Sequence, residues 1–380
     1  MGKTNDAEMM RLFSEAEQRK TCLVPPSPRV RETLRRHVKQ GKAVHPARGM
    51  YARASYWRSL SKPQQALWIL RAMQTLHPTW TFCHESAALA FGLSVSHEKL
   101  NEVHVVTSPS SRNASSESVH WHIVQNDEPV IVQGLRVTSL ARTAFDCMRT
   151  ADFKRALAIA DSTLRLSGRS GSSFASSFKR MRGSCAGTVH VARTMYYADA
   201  LSESGGESMA RAAMIELGFA LPQLQVSFPR PLDRNRSFRV DFLWTRLDGS
   251  KVIGEFDGKQ KYEDEAMRNG RTPLRVLADE QHRESQLTLL GMPIVRFSYG
   301  DILNANRFAS LLKLYDIPHS DEIARTERRL ARSNCSQRRY SPSNPWKRDE
   351  SVAREGASSP EKHASAAGAC FSGDDGFRLP

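Results

Sequence analysis

The sequence predicts an α/β protein, α+β overall, and three observations carry that prediction. A basic helical stretch near the N-terminus runs into a short glycine hairpin. Three strand-like segments at residues 102–132 sit between helical ones, and residues 207–297 read helix, strand, strand, helix, strand. The expected parts are a winged helix-turn-helix at 5–62, a mixed α/β middle region at 63–166 and a linker at 167–200. A C-terminal α/β domain at 201–318 and a disordered tail at 319–380 complete the chain. Its 380 residues, 40% hydrophobic and 25% charged, have the composition of a globular protein with a sizeable core. No run approaches the ~18 apolar residues of a membrane span. The opening residues lack the apolar stretch of a signal peptide. The six Cys lie far apart without a CxxC pair, which argues against a zinc knuckle or a disulfide framework. A cytoplasmic protein with no membrane partner is expected.

With 55 Lys and Arg against 40 Asp and Glu, the chain carries a net charge of +15. The excess is uneven. Residues 1–100 hold 16 basic and 7 acidic side chains, whereas residues 201–320 hold 16 of each. Between residues 28 and 62 there are ten Lys and Arg and a single acid, Glu32. A polyanion is the partner such a run suits.

Ser27-Pro28 marks a helix start, because Ser caps and Pro is favoured at the first helical position. Val30, Leu34 and Val38 then recur at helical spacing and Gly41 stops the helix. Arg29, Arg31, Arg35, Arg36 and Lys39 fall mostly off that apolar stripe. Lys42 to Tyr51 reads as a hairpin, with Val44, Met50 and Tyr51 strand-like around a Gly turn and Lys42 and Arg48 as its charges. A supporting helix is expected at 6–20. This is the layout of a winged helix-turn-helix, whose helix enters the major groove of double-stranded DNA while the wing touches backbone.

Residues 63–93 read helical with a break at His77-Pro78. Strand-like segments follow at 102–106, 119–124 and 130–132, with turns expected at 108–111 and 125–127. Ser139 opens another helix, and an apolar helical run covers 156–166. His104, His120 and His122 raise a metal reading, with the last two on one face of a strand. No carboxylate or Cys completes the set in sequence, so surface imidazoles are expected. The Ser- and Gly-rich residues 167–177 read as a loose connection.

In the C-terminal domain, Glu207 lies in the first turn of a helix that Gly218 ends. Asp241 lies on a strand, Asp248-Gly249 is a hairpin signal, and Glu255 and Asp257 share one face of the returning strand. The hairpin can bring Asp241 and Glu255 opposite each other. Acids paired mid-strand need compensation, and Mg²⁺ held by two carboxylates supplies it. Such an ion activates water and steadies charge on a scissile phosphate. A charged amphipathic helix is expected at 279–291.

These residues carry a resemblance. Glu255-Phe-Asp-Gly-Lys-Gln-Lys-Tyr262, with Asp241-Phe-Leu-Trp before it and His282-Arg283 and Gly291-Met-Pro-Ile-Val-Arg296 after it, resembles the very-short-patch-repair endonuclease group. That group has the PD-(D/E)XK, restriction-endonuclease-like fold. The preceding region, with Gly49-Met-Tyr51, Ser86-Ala-Ala88, Gly92-Leu93 and Val137-Thr-Ser-Leu-Ala-Arg142-Thr143 with Asp146, resembles actinobacterial AbiEi-type antitoxins of type IV toxin–antitoxin systems.

The resemblance implies catalytic positions at Asp241 and Glu255, and a metal set of Glu207, Asp241 and Glu255 for Mg. The position of the expected catalytic Lys is Asp257. Lys259 or Lys261 can swing in, and a shifted register reads Asp257-Gly-Lys259 as the D-x-K itself. Two functions follow. One is a DNA-binding transcriptional regulator, with a cognate toxin as a partner on the antitoxin analogy. The other is a Mg-dependent DNA endonuclease delivered by the winged helix.

Overall fold

The computed structural model describes residues 2–109, 118–181, 187–231, 233, 235–258 and 285–332. Helix α1 spans Gly2–Gln18 and α2 spans Pro28–Lys39, and strands β1 (Ala43–Ala47) and β2 (Met50–Arg53) form an antiparallel hairpin. The α2 start obeys its signals: the Ser27 hydroxyl accepts the Val30 N–H at 3.3 Å, and Pro28 fills the first turn. Gly49, at φ +76°, makes the hairpin turn. Val30 and Leu34 turn inward onto Met9 and Phe13 of α1 and Tyr51 of the hairpin. Fully burying each such side chain is worth about 1.5–3 kcal/mol. Leu23 also pairs with Tyr51 through both backbone groups, at 2.7 and 2.9 Å, which fixes the hairpin against the α1–α2 connection.

After the short helix α3 (Ala54–Ser59), α4 (Lys62–Leu76) begins with a reciprocal capping box between Ser61 and Gln64. The expected boundary at residue 62 is not a gap. Trp68 and Ala72 of α4 are buried with Cys22 and Met50 of the preceding part in one apolar cluster.

Helix α5 (His84–Phe91) ends at Gly92 in the left-handed conformation. Strands β3 (Val103–Thr107) and β4 (Val119–Ile123) pair in parallel, so they are not the two arms of a tight turn. Strands β5 (Val130–Val132) and β6 (Leu135–Val137) form a small antiparallel ribbon. Helices α6 (Leu140–Thr150) and α7 (Phe153–Ser167) begin at Ser139 and Asp152, whose side chains cap them.

Much of the described part of the stretch expected as a linker is instead helical and packs inward. Helix α8 (Gly171–Ser176), the 3-10 turn that follows it at Ser177–Arg180 and helix α9 (Thr188–Tyr197) place Phe174, Phe178, Val191 and Tyr197 in one cluster with Phe145, Leu157 and Ile215. Serine-rich composition conceals these apolar residues, which are spaced for packing rather than solvation. That cluster joins the middle region to α10 (Gly205–Leu217), so the expected division at 166–201 runs through a core. A buried ion pair crosses the same junction. Arg211 of α10 bonds Asp161 of α7 at 2.7 Å, and Asp161 also accepts the Asp199 N–H.

The C-terminal sheet has the order β10-β9-β8-β7, from Ile294–Ser298, Lys251–Asp257, Ser237–Thr245 and Gln223–Pro229. Strands β7, β8 and β9 are antiparallel, and β10 lies parallel to β9. The β8–β9 hairpin turns at Asp248-Gly249, as its sequence predicts, with Gly249 at φ +85°. Of the helix expected at 279–291, residues 279–284 lie outside the described residues, as do 259–278 before them. Helices α11 (Tyr299–Leu303) and α12 (Ala305–Leu314) follow.

The expected tail is corrected at its start. Residues 321–332 form helix α13 (Asp321–Arg332), whose Ile323, Ala324 and Glu327 are buried. These side chains recur at helical spacing on one face, although the segment is strongly polar.

Candidate functional site

All seven side chains expected to meet DNA, namely Arg29, Arg31, Arg35, Arg36, Lys39, Lys42 and Arg48, are exposed. Burial of Val30, Thr33 and Leu34 on one face of α2 turns the five on that helix outward. Only Arg35 and Arg36 make described side-chain contacts, to Glu32 at 3.4 Å and to Thr33 at 3.3 Å. Exposed pairs of this kind contribute little and leave the guanidinium available. Arg31, Arg35, Arg36, Lys39 and Arg48 line a cleft of about 1630 Å³, together with the acids Glu32, Glu85 and Glu102. Leu76, His77, Trp80 and Lys99 line it as well, with His77 stacked on Trp80 at 3.9 Å.

The carboxylates meet in a different place. Register Phe242↔Gly254 between β8 and β9, continued by one step, sets Asp241 beside Glu255. The Asp241 Oδ2 accepts the Phe256 N–H at 2.9 Å, which fastens it there. Arg296 of β10 is the register partner of Glu255, and on the far side Gln225 of β7 falls between the pairs Leu224↔Phe242 and Val226↔Val240, opposite Asp241. The result is a polar row across four strands: Gln225, Asp241, Glu255, Arg296. Asp241 and Glu255 are 6% and 5% exposed, so their charges are held away from bulk water.

Glu207 reaches this row through Gln225, whose Nε2 donates to its Oε2 at 3.1 Å. Glu207 also accepts the Ser204 hydroxyl at 2.7 Å and the Glu203 N–H at 2.9 Å, so it acts in the cap of α10. Gly206 is required beside it, because a Cβ there would lie 2.1 Å from the Phe256 ring. Asp257, at the expected lysine position, faces Arg296 at 3.3 Å. Lys259 and Lys261 lie outside the described residues. Gln225 and Arg296 were not expected as site residues. Only the strand register aligns them, and a single sequence does not display it.

A third cluster overturns the expectation of surface imidazoles. The Cys83 N–H donates to the His104 carbonyl at 3.0 Å, which brings the start of α5 beside β3. His84 then stacks on His122 with ring centroids 3.9 Å apart, and His104 Nδ1 lies 2.9 Å from His122 Nε2. His120 stacks on His104 at 5.3 Å. Glu85 and Glu102 approach His104 Nε2 at 3.4 and 3.7 Å. Burial pushes His84 down to about 3, with His122 and His104 pushing the same way against Asp146. Burial and the neighbouring imidazoles likewise lower His104 and His122 to about 4.

An acid sensitivity follows. Unfolded, these rings take protons near pH 6.5; folded, they refuse them until about 3 or 4. Stability is therefore full above pH 6.5 and is lost as pH falls below it, at up to about 1 kcal/mol per pH unit for each ring. Of the facing groups, the acids Asp146, Glu85 and Glu102 oppose this shift while the cations Lys99 and Arg149 add to it, and the downward direction stands. Urea midpoints of chelator-treated protein are expected to fall steadily between pH 6.5 and 4.5. A flat midpoint over that window contradicts the buried neutral cluster.

No family model matches the chain. It is 31% identical over 171 residues to two uncharacterized proteins of Mycobacterium tuberculosis, from strains CDC 1551 / Oshkosh and ATCC 25618 / H37Rv. The matched stretch covers 45% of this chain and 58% of each relative, so the chain spans little more than half the length of the curated relatives it matches. No helix among the described residues is long and apolar enough to cross a membrane.

Proposed function

We propose that this chain is a DNA-binding regulator of the AbiEi-like antitoxin type, with its N-terminal helix and hairpin as the reading head. The observation that carries this is the cluster of cations lining the cleft: five from α2 and the hairpin, all exposed, none with a buried counter-ion among the described residues. Helix α2, at 12 residues, is about 18 Å long and presents one charged face, which suits insertion into a major groove about 12 Å wide. Lys42 and Arg48 on the hairpin suit phosphate contacts beside it. The test is fluorescence polarisation of the full chain with labelled duplex DNA over a range of salt. Affinity is expected to fall steeply as salt rises, and a salt-independent or undetectable interaction refutes the reading. The toxin partner rests on the antitoxin resemblance, and a toxin-like reading frame adjacent to the gene is the observation that favours it.

A second reading, a Mg-dependent endonuclease, is favoured by the polar row. Helix α10 followed by three antiparallel strands and a parallel fourth is compatible with the restriction-endonuclease-like fold. Asp241 and Glu255, adjacent and buried, suit a hard dication, which would activate water for phosphodiester attack. Glu207 suits it less, since both its oxygens already accept hydrogen bonds. The general-base position is also weakened, because Asp257 faces Arg296 where the family has lysine. Plasmid incubated with the protein and Mg²⁺ or Mn²⁺ is expected to remain intact. Nicking that disappears in both Glu255→Ala and Asp241→Ala establishes the nuclease instead.

A further inference from the structure

The regulator reading leaves the buried histidines unused, and they have the chemistry of a metal site. We infer that Cys83, His84 and His122 bind a single transition-metal dication, Zn²⁺ being the best match, with His104 and Glu85 supporting the ligands. The Cys83 thiol and one ring nitrogen of each histidine all lie within 4.8 Å of one another. Donors around tetrahedral Zn²⁺, at bonds of ~2.0–2.3 Å, stand roughly 3.3–3.8 Å apart, so closing this set takes movements of about an ångström. Sulfur with imidazole selects Zn²⁺ over Mg²⁺ or Ca²⁺, which take oxygen.

The second observation is His84 itself. It is 3% exposed, yet neither ring nitrogen has a hydrogen-bond partner among the described residues. Leaving such atoms bare is costly, and a coordinated ion removes that penalty on one side. Its backbone is held at φ +46°, a strained setting for a non-glycine residue, and that setting aims the ring at His122.

Around the ligands, His104 joins His122 at 2.9 Å and reaches Glu85 at 3.4 Å. Such imidazole–carboxylate chains fix the tautomer of a metal-bound histidine. A cavity of about 210 Å³ lined by His84, His104 and His122, and also by Glu85 and Glu102, gives an ion access. On binding, the Cys83 thiol proton leaves to solvent and the thiolate takes its place in the coordination shell.

The test uses the full chain, stripped with chelator and titrated with Co²⁺ as a spectroscopic stand-in for Zn²⁺. One equivalent is expected to give tetrahedral visible bands and a thiolate-to-cobalt charge-transfer band, both abolished by Zn²⁺. In Cys83→Ser the charge-transfer band is expected to vanish. In His122→Gln, at a half-buried position that tolerates substitution, affinity is expected to fall at least tenfold while circular dichroism stays native. His97→Gln, outside the cluster, serves as the unaffected control. No stoichiometric binding by the natively folded wild-type chain overturns the inference, and so does full-strength binding by folded His122→Gln.

Discussion

Replacing Arg31, Arg35, Arg36 and Lys39 together by alanine is expected to weaken duplex DNA binding about a hundredfold or more near 0.1 M salt. Each is an exposed cation on the cleft-facing side of α2. If each neutralises one phosphate, the slope of log affinity against log salt becomes shallower by up to about 4. The helix should survive the change, because alanine is the best helix former and the lost contacts are the exposed Arg35–Glu32 pair and the Arg36–Thr33 bond. A charge-matched control, Arg239, Lys251, Arg307 and Lys313 to alanine, removes as much charge from exposed C-terminal positions. Equal losses in the two proteins mean that net charge alone drives binding, and α2 then has no special role. An unchanged slope in the first variant removes α2 from the interface.

The second large effect is on stability. Glu327→Ala is expected to destabilise the chain by about 3–5 kcal/mol, because it strands a buried cation. Glu327 is 0% exposed, accepts from Arg193 at 2.9 Å and accepts the Tyr197 hydroxyl at 2.7 Å. Arg193 is 1% exposed and lies 3.5 Å from the Phe153 ring centroid, with two of its nitrogens lacking a hydrogen-bond partner among the described residues. Glu216 also feels the Arg193 charge, but it makes no described hydrogen bond to that guanidinium. The double variant Arg193→Met, Glu327→Leu removes both charges and is expected to recover most of the loss. Thermal midpoints measure all three proteins. A single variant within about 1 kcal/mol of wild type shows that α13 does not depend on this pair.

Some of this molecule is legible in its sequence for local reasons. Ser27-Pro28 and Gly41 bracket α2, and Asp248-Gly249 sets the β8–β9 hairpin, because caps and turns are decided by residues within a few positions. The Asp241–Glu255 neighbourhood follows from that hairpin, so it too was within reach. Gln225 and Arg296 were not, since their places depend on how β7 and β10 join the sheet. The histidine cluster was half visible: His104, His120 and His122 stand close in sequence, but His84 and Cys83 arrive from a helix twenty residues upstream. The helices at 171–197 were misread because serine content outweighed a few well-spaced aromatic residues. Helix α13 was misread because its anchor is a glutamate, which sequence patterns treat as a surface residue.

The Arg193–Glu327 pair also constrains how the chain reaches its fold. Its two halves are 134 residues apart in the chain. At elongation rates of about 5–20 residues per second, Arg193 waits roughly 7–27 s for its carboxylate to be synthesised. During that interval the cluster around Phe153 and Tyr197 cannot close over a lone guanidinium without a large desolvation cost. The core that unites the middle of the chain with its C-terminal part therefore completes late, once α13 has left the ribosome. Until then the nascent protein keeps apolar surface exposed, and residues 321–332 are what close it.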